Sequence, residues 1–357
     1  MKEKITYRLE DYDYQLPKNL IADRPSDKRH GSRLMVLYRK NGRTEHVKFS
    51  DIVNYLDRRD LLVLNDTRVV KARLFARKPS GGRVEILVLD PFRESDSHEC
   101  LVKSSKPVQK GMELTIENSG GKVRAIVVET YANGKASVVF KSPMPLLEML
   151  NCYGFVPLPP YILKRRSFRG EADFDSVRYQ TVYGVKPGAI AAPTAGFHFS
   201  KELLGKLRQK KNIRLAFITL HVSYGTFAPI RTEDIRLHDI HSEWCEVPHE
   251  TALAVKEVQR SGGRVIAVGT TVVRTLEWVA TIFGEVRKHK GYCNHYIYPG
   301  YEFKVVDAMI TNFHLPKSSL ILLVCAFAGR ENILRAYREA IEKKYRFYSY
   351  GDAMLIL

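Results

Sequence analysis

Hydrophobic and polar positions follow two different patterns along this chain. Between residues 73 and 141, short runs of alternating and β-branched residues are separated by segments rich in Gly, Pro, Asn and Ser. Runs of this length with this punctuation predict a small antiparallel barrel or sandwich. The predicted strands are residues 73–77, 83–89, 99–104, 112–117, 123–129 and 136–140.

Outside that stretch, apolar runs alternate with amphipathic segments, which is typical of an α/β domain with a mainly parallel sheet. We therefore predict an α/β domain from residues 1–70 and 145–357, interrupted by an inserted small antiparallel β-barrel domain at residues 71–144. The predicted strands of the α/β domain are residues 61–64, 190–192, 215–221, 264–268, 304–310 and 320–326, and the predicted helices are residues 201–211, 251–261, 271–283 and 331–344.

The charge of the chain adds a first indication of function. Its 357 residues include 57 Lys and Arg against 39 Asp and Glu, a formal net charge of +18. Such an excess favours a polyanionic partner, although a basic surface kept for solubility would give the same total. No apolar run reaches the ~18 residues of a membrane span. The polar N-terminus and five scattered cysteines predict a cytoplasmic protein with reduced thiols.

Polar residues follow several predicted strands, and the carboxyl ends of strands are where open α/β sheets bind ligands. The polar residues after any one strand do not indicate a site by themselves, because Asn and Asp commonly form turns and a Gly-Thr-Thr sequence also caps helices. Their convergence at five strand ends favours one catalytic crevice. The residues are Asn65, Asp66, Thr67, Arg68, Thr194, Gly196, His198, His221, Gly225, Thr226, Gly269, Thr270, Thr271, Arg274, Asn312 and His314.

Two common kinds of site do not fit the sequence. His238, His241 and Cys245 lack a second ligand pair at the usual zinc spacing, so we expect no metal. No G-x-G-x-x-G sequence follows a predicted strand, which argues against a Rossmann cofactor site and against the common class of S-adenosylmethionine methyltransferases.

The polar strand-end residues lie in longer motifs, among them LNDTRV (64–69) and PTAGFHF (193–199). At these motifs the chain resembles the S-adenosylmethionine:tRNA ribosyltransferase-isomerase family of queuosine biosynthesis. The resemblance extends over essentially the whole chain, and so many motifs in one order are specific. Departures at Lys71, Ser223, Tyr224, Ala228 and Val272 concern local contacts. The motifs include YDYQLP (12–17), LNDTRV (64–69), GFVPLPPY (154–161), RYQTVY (178–183), PTAGFHF (193–199), HSEW (241–244), YPGY (298–301) and residues 221–227, 268–277, 307–316 and 349–354.

The resemblance implies a reaction as well as a fold. The ribosyl part of S-adenosylmethionine, a co-substrate, would be transferred to 7-aminomethyl-7-deazaguanine at the wobble position of a tRNA anticodon. Isomerisation would give epoxyqueuosine, with release of adenine and methionine. We expect a monomeric cytoplasmic enzyme whose partner is that tRNA, with no membrane and no obligate protein partner.

Such a reaction needs a base, a donor for the departing adenine and electrostatic stabilisation. Histidines exchange protons near neutrality, so His221 and His198, then His314, are the predicted catalytic groups, with Asp66 orienting a hydroxyl or a base. Residues 269–271 and Arg274 are predicted to hold the methionine carboxylate, and the other strand-end residues named above to contact the co-substrate. Two alternatives stay open: a non-catalytic tRNA-binding protein and an S-adenosylmethionine-dependent tRNA methyltransferase.

Overall fold

The computed structural model describes residues 5–163, 172–227 and 229–357. The run of three basic residues at 164–166 and the departure at Ala228 lie outside the described residues. The strands are β1 (Arg33–Tyr38), β2 (Arg43–Lys48), β3 (Leu61–Asn65), β4 (Thr67–Val69), β5 (Arg73–Arg77), β6 (Arg83–Val88), β7 (His98–Ser104), β8 (Glu113–Ile116), β9 (Arg124–Thr130), β10 (Lys135–Lys141), β11 (Lys186–Ala189), β12 (Arg214–Leu220), β13 (Glu243–Val247), β14 (Val265–Val268), β15 (His289–Cys293), β16 (Ala308–Asn312) and β17 (Ala353–Ile356). The helices are α1 (Leu146–Tyr153), α2 (Pro160–Leu163), α3 (Ala172–Arg178), α4 (Lys201–Lys211), α5 (His249–Arg260), α6 (Thr270–Phe283), α7 (Ser319–Ala328) and α8 (Arg330–Glu342).

A nine-stranded mixed sheet forms the centre of the fold, in the order β15-β13-β12-β3-β14-β16-β17-β1-β2. Its middle strands β12, β3, β14 and β16 are parallel, and antiparallel pairs extend the sheet on both sides. The α/β class with an inserted barrel is confirmed. The sheet is more mixed than predicted, because β13, β15 and β17 join it from segments whose strand partners are distant in sequence.

The central strand β3 explains why the middle of the sheet was predictable. All five of its residues are buried, the near-continuous apolar pattern of a strand that is covered on both faces. Leu61 and Val63 face the core that contains α5 and α6, whereas Leu62 and Leu64 face the core that contains α4. Because helices cover both faces of the parallel strands, a ligand site is expected at the carboxyl ends of the strands.

Two predicted strands are wrong. Residues 320–326 lie inside helix α7, where the Ser318 hydroxyl caps the helix by accepting from the N–H of Ile321 at 3.3 Å. Seven of the ten residues of α7 are buried, and an apolar run without a period does not separate a buried helix from a buried strand. Residues 190–192 form a bend and irregular backbone, and the strand lies just before them as β11, paired with β4 in a separate two-stranded sheet.

The six predicted strands of the middle stretch are confirmed, and they close into a barrel in the order β10-β7-β6-β5-β8-β9. Closure leaves no exposed sheet edge, and alternate residues such as Leu74, Ile86 and Val138 fill the interior. The boundaries at residues 71 and 144 stay our proposal for the domain division. Within the described ranges, no helix has both the length and the apolar character needed to span a bilayer.

Glu277 holds the chain that leads into β16. Its fully buried carboxylate on α6 accepts hydrogen bonds from the N–H groups of Lys304 (2.9 Å), Val305 (3.0 Å) and Val306 (2.9 Å), and from the hydroxyl of Tyr301 (3.0 Å). This carboxylate therefore takes the place of a neighbouring strand for the N–H groups of residues 304–306, which were predicted as strand but lie before β16.

We expect Glu277→Gln to lower the free energy of unfolding by about 2–3 kcal/mol. The amide oxygen accepts these hydrogen bonds more weakly than a carboxylate, and the amide NH2 group would face donors with which it forms no hydrogen bond. Urea unfolding checks this. The matched control is Glu285→Gln, which changes an exposed carboxylate paired with Lys256 at 2.9 Å and should leave the unfolding midpoint unchanged. Equal midpoints for the two variants would contradict the assignment.

Candidate active site

A cleft opens at the carboxyl ends of β12, β14 and β16. Segments after all three strands reach it, together with the stretch before α4 and a segment near the C-terminus. Its wall is largely apolar with a few hydroxyl, amide and imidazole groups, the usual character of a small-molecule site. The lining residues are Ala192, Pro193, Thr194, Ala195, Val222, Gly269, Thr270, Thr271, Thr311, Asn312, Phe313, His314, Leu320, Tyr348 and Ser349.

The first turn of α6 forms one side of the cleft. β14 ends at Val268, and Gly269 turns the chain into the helix with φ at 95°, a conformation that favours glycine. The N–H of Gly269 donates to the carbonyl of Ile310 at 2.8 Å. The next N–H groups, at Thr270 and Thr271, belong to the first turn, where no intrahelical acceptor exists. With the helix dipole, they suit a carboxylate or phosphate.

Asn312 connects the cleft to His198. Its amide nitrogen lies 3.2 Å from Nε2 of His198 and donates to the carbonyl of Tyr348 at 3.2 Å, while its oxygen accepts from Thr194 at 3.1 Å. Nδ1 of His198 lies 2.7 Å from the hydroxyl of Ser32. Burial lowers the pKa of His198 to about 4, so the ring is neutral. Both ring nitrogens have protein partners, which favours a positioning role for His198.

Only one ring nitrogen of His221 has a hydrogen-bond partner among the described residues. Nδ1 lies 2.8 Å from the hydroxyl of Thr67, and Nε2 makes no hydrogen bond to any described residue. The ring stacks on Trp244 with centroids 5.0 Å apart, and Phe92 of the barrel lies 4.7 Å away. A Cβ at Gly188 would lie 2.6 Å from Nε2. Close packing therefore fixes the orientation of this imidazole.

Solvent exclusion also affects the other predicted acid–base groups. Burial, aided by the charge of Lys186, lowers the pKa of His221 to about 4. His314 lines the cleft, its Nε2 lies 2.8 Å from the hydroxyl of Thr311, and burial lowers its pKa to about 3. Burial raises the pKa of Asp66, although the hydroxyl of Thr219 donates to its carboxylate at 2.6 Å.

Arg274 lies away from the first turn of α6, in a second pocket that shares only Leu320 with the cleft. It is buried against the carboxylate of Glu243, and its Nε donates to the carbonyl of His295 at 3.0 Å. The guanidinium charge is therefore already neutralised. Gly225 lines the same pocket, where a Cβ would collide with the ring of His241.

The remaining predicted residues are dispersed. Arg68 is exposed, and a Cβ on Gly196 would collide with the hydroxyl of Tyr183. The side chain of Thr226 lies outside the described part of the chain. Among the described residues, no three or more His, Cys, Asp or Glu side chains form a group suited to a metal ion.

Sequence reasoning missed Tyr348 and Ser349, which close the cleft from the C-terminal segment. Tyr348 has φ at 76°, and its N–H donates to the carbonyl of Phe313 at 3.0 Å. A left-handed tyrosine is uncommon and often marks a functional segment. The motif at 349–354 begins at Ser349 and so indicated this segment, but it did not include Tyr348.

Fold and cleft together define an α/β enzyme with an inserted barrel and a site for a small polar ligand at the strand ends. The chain belongs to the queuosine biosynthesis protein family, whose model matches residues 9–356. It is 49% identical over 350 residues to the S-adenosylmethionine:tRNA ribosyltransferase-isomerase of Aquifex aeolicus, covering 98% of this chain and 100% of that one. The protein of the same name from Trichlorobacter lovleyi is 48% identical over 349 residues, covering 98% and 99%.

A solved structure is also similar. The crystal structure of S-adenosylmethionine tRNA ribosyltransferase from Thermotoga maritima is 37% identical in sequence, with a TM-score of 0.54. The match covers 97% of this chain and 100% of that chain.

Because the buried histidines are neutral, we expect the free energy of unfolding to fall in mild acid. A histidine with a folded pKa near 4 and an unfolded pKa near 6.5 binds more protons when unfolded, so its stabilisation is complete above pH 6.5 and is lost as the pH falls toward 4. Between pH 7 and pH 5 we expect a loss on the order of 1–2 kcal/mol for each such histidine.

Urea unfolding at the two pH values measures this loss. His314→Gln should flatten the pH dependence, and the exposed control His249→Gln should leave it unchanged. A free energy of unfolding that is equal at pH 7 and pH 5 in the unmodified protein would contradict the neutral, buried state of these rings.

Proposed function

We propose that this protein transfers the ribosyl moiety of S-adenosylmethionine to 7-aminomethyl-7-deazaguanine in a tRNA anticodon and isomerises it to epoxyqueuosine, releasing adenine and methionine. The observation that carries the proposal is the 49% identity, over 98% of this chain, to a relative named S-adenosylmethionine:tRNA ribosyltransferase-isomerase. The cleft supports it, because hydroxyl, amide and imidazole groups converge there at the strand ends.

The methionine carboxylate is proposed to lie against the first turn of α6, where Thr270 and Thr271 line the cleft. The helix N-terminus favours a negative charge, and the short Gly269 leaves room for it. Arg274 was the other predicted partner of this carboxylate. Glu243 already neutralises the guanidinium group of Arg274. We therefore propose that Arg274 instead stabilises the wall of the second pocket, through Glu243 and the carbonyl of His295.

Proton transfer is proposed to fall to His221. The aminomethyl nitrogen must lose a proton to attack, and a proton must also leave the carbon beside the sulfonium. A neutral imidazole with an unpaired Nε2 can accept a proton, and Thr67 fixes its ring through Nδ1. His314 lines the cleft and is proposed to hydrogen-bond the departing adenine. Asp66 and His198 are proposed to orient neighbouring groups.

The net charge of +18 supports a tRNA partner, since a polyanion is attracted by the summed field. We further propose that the wobble nucleotide is the one modified, in the cytoplasm, by a monomer that needs no protein partner and no metal. A non-catalytic tRNA-binding protein would not require the family's whole motif set. A methyltransferase would leave S-adenosylhomocysteine, the product that separates it from this proposal.

We expect His221→Gln to fold and to bind tRNA almost normally, yet to release adenine at least ~100-fold more slowly, because glutamine keeps hydrogen bonds but does not exchange protons near neutrality. Adenine release from S-adenosylmethionine with the modified tRNA measures the rate, and His249→Gln is the exposed control. Near-normal turnover, or a defect that follows the melting temperature alone, would assign His221 to the scaffold.

A further inference from the structure

A second, shallow groove lies beside the cleft and shares Ser349 with it. Two arginines reach into it from separate segments: Arg29 from the loop before β1, and Arg178 from the last turn of α3. Phe197 and His198 also line it. We call it the arginine groove.

Among the residues that the structure describes, the two guanidinium groups donate only to backbone carbonyl groups. Arg29 donates to the carbonyl of Val177 at 3.1 Å, and Arg178 donates to the carbonyls of Ser26 at 2.6 Å and Asp27 at 3.3 Å. No Asp or Glu among the described residues forms an ion pair with either of them. Several of the five N–H donors on each guanidinium are therefore left for a ligand.

Two positive charges in one half-buried groove repel each other. Burial and the neighbouring Arg178 charge both lower the pKa of Arg29, which shows the cost of this arrangement. Asp352, on the adjoining C-terminal segment, is already shared by Arg33 at 3.3 Å and Arg346 at 3.6 Å. An anion in the groove would relieve the repulsion.

We propose that Arg29 and Arg178 bind a backbone phosphate of the RNA substrate, next to the nucleotide whose base enters the cleft. The inference rests on the proposed function for the identity of the RNA. A planar guanidinium group matches the geometry of a phosphate and binds it through two parallel N–H···O hydrogen bonds. A phosphate bound in a groove that adjoins the cleft would set which nucleotide can enter.

A purely structural role for the pair makes a different prediction. The arginines also link the loop before β1 to α3 through carbonyl groups, so their loss would lower the melting temperature without changing the salt dependence of RNA binding. The two roles are separable, because each phosphate contact releases counterions and contributes about 0.7 to the slope of log K against log salt for single strands.

The test uses the full chain and a fluorescent RNA hairpin with a seven-nucleotide loop, titrated at several salt concentrations by anisotropy. Arg29→Gln and Arg178→Gln should each bind the hairpin about tenfold more weakly near 0.1 M salt. The slope should shrink by roughly 0.7 for one lost phosphate. Arg29→Lys should recover part of the affinity, because it keeps the charge and loses the planar fork.

The control is Arg214→Gln, which removes an exposed arginine already paired with Glu257 at 2.8 Å and should bind RNA as the unmodified protein does. Affinity for S-adenosylmethionine, measured by calorimetry without RNA, should be unchanged in all variants. Groove variants with the affinity and slope of the control would overturn the proposal, as would a loss of binding explained by melting temperature. Because hairpin binding involves no chemistry, it can succeed or fail independently of adenine release.

Discussion

The side chain of Asn65 makes four hydrogen bonds at the end of the central strand, and the site depends on them. Its amide donates to the carbonyl of Leu220 at 3.0 Å and to the hydroxyl of Thr271 at 3.2 Å, and its oxygen accepts from the N–H groups of Leu220 at 3.0 Å and Thr67 at 3.1 Å. One buried amide therefore fixes β12, the turn that holds His221 and the start of α6. The proposed base and the proposed carboxylate site are positioned by the same group.

Much of the fold could be predicted because local signals agreed with it. The barrel strands alternate and are separated by Gly, Pro and Asn, and the Ser200 cap of α4 stands where the helix begins, accepting from Leu203 at 3.2 Å. The segment of α7 reads as a strand in the sequence because a uniformly apolar run carries no helical period. β1 and β17 were missed because each needs the other: Leu34 pairs with Ala353 across the length of the chain.

The site could be predicted where a residue's position follows from a strand end. Thr271 and Asn312 lie in the cleft because β14 and β16 end there. Arg274 does not, because one further turn of α6 carries it to Glu243, an ion pair that no local pattern reveals. Tyr348 and Arg29 come to the cleft and its neighbouring groove from the two ends of the chain, and only tertiary packing brings them there.

The most direct test of the central claim follows two labels in S-adenosylmethionine, one in the ribose and a different one in the methyl group. The protein is incubated with tRNA that carries 7-aminomethyl-7-deazaguanine, and the nucleosides and small products are analysed by mass spectrometry. Our account predicts the ribose label in the tRNA, with free adenine and methionine that retains the methyl label. The methyl label in the tRNA with S-adenosylhomocysteine as product, or neither label in the tRNA, would contradict it.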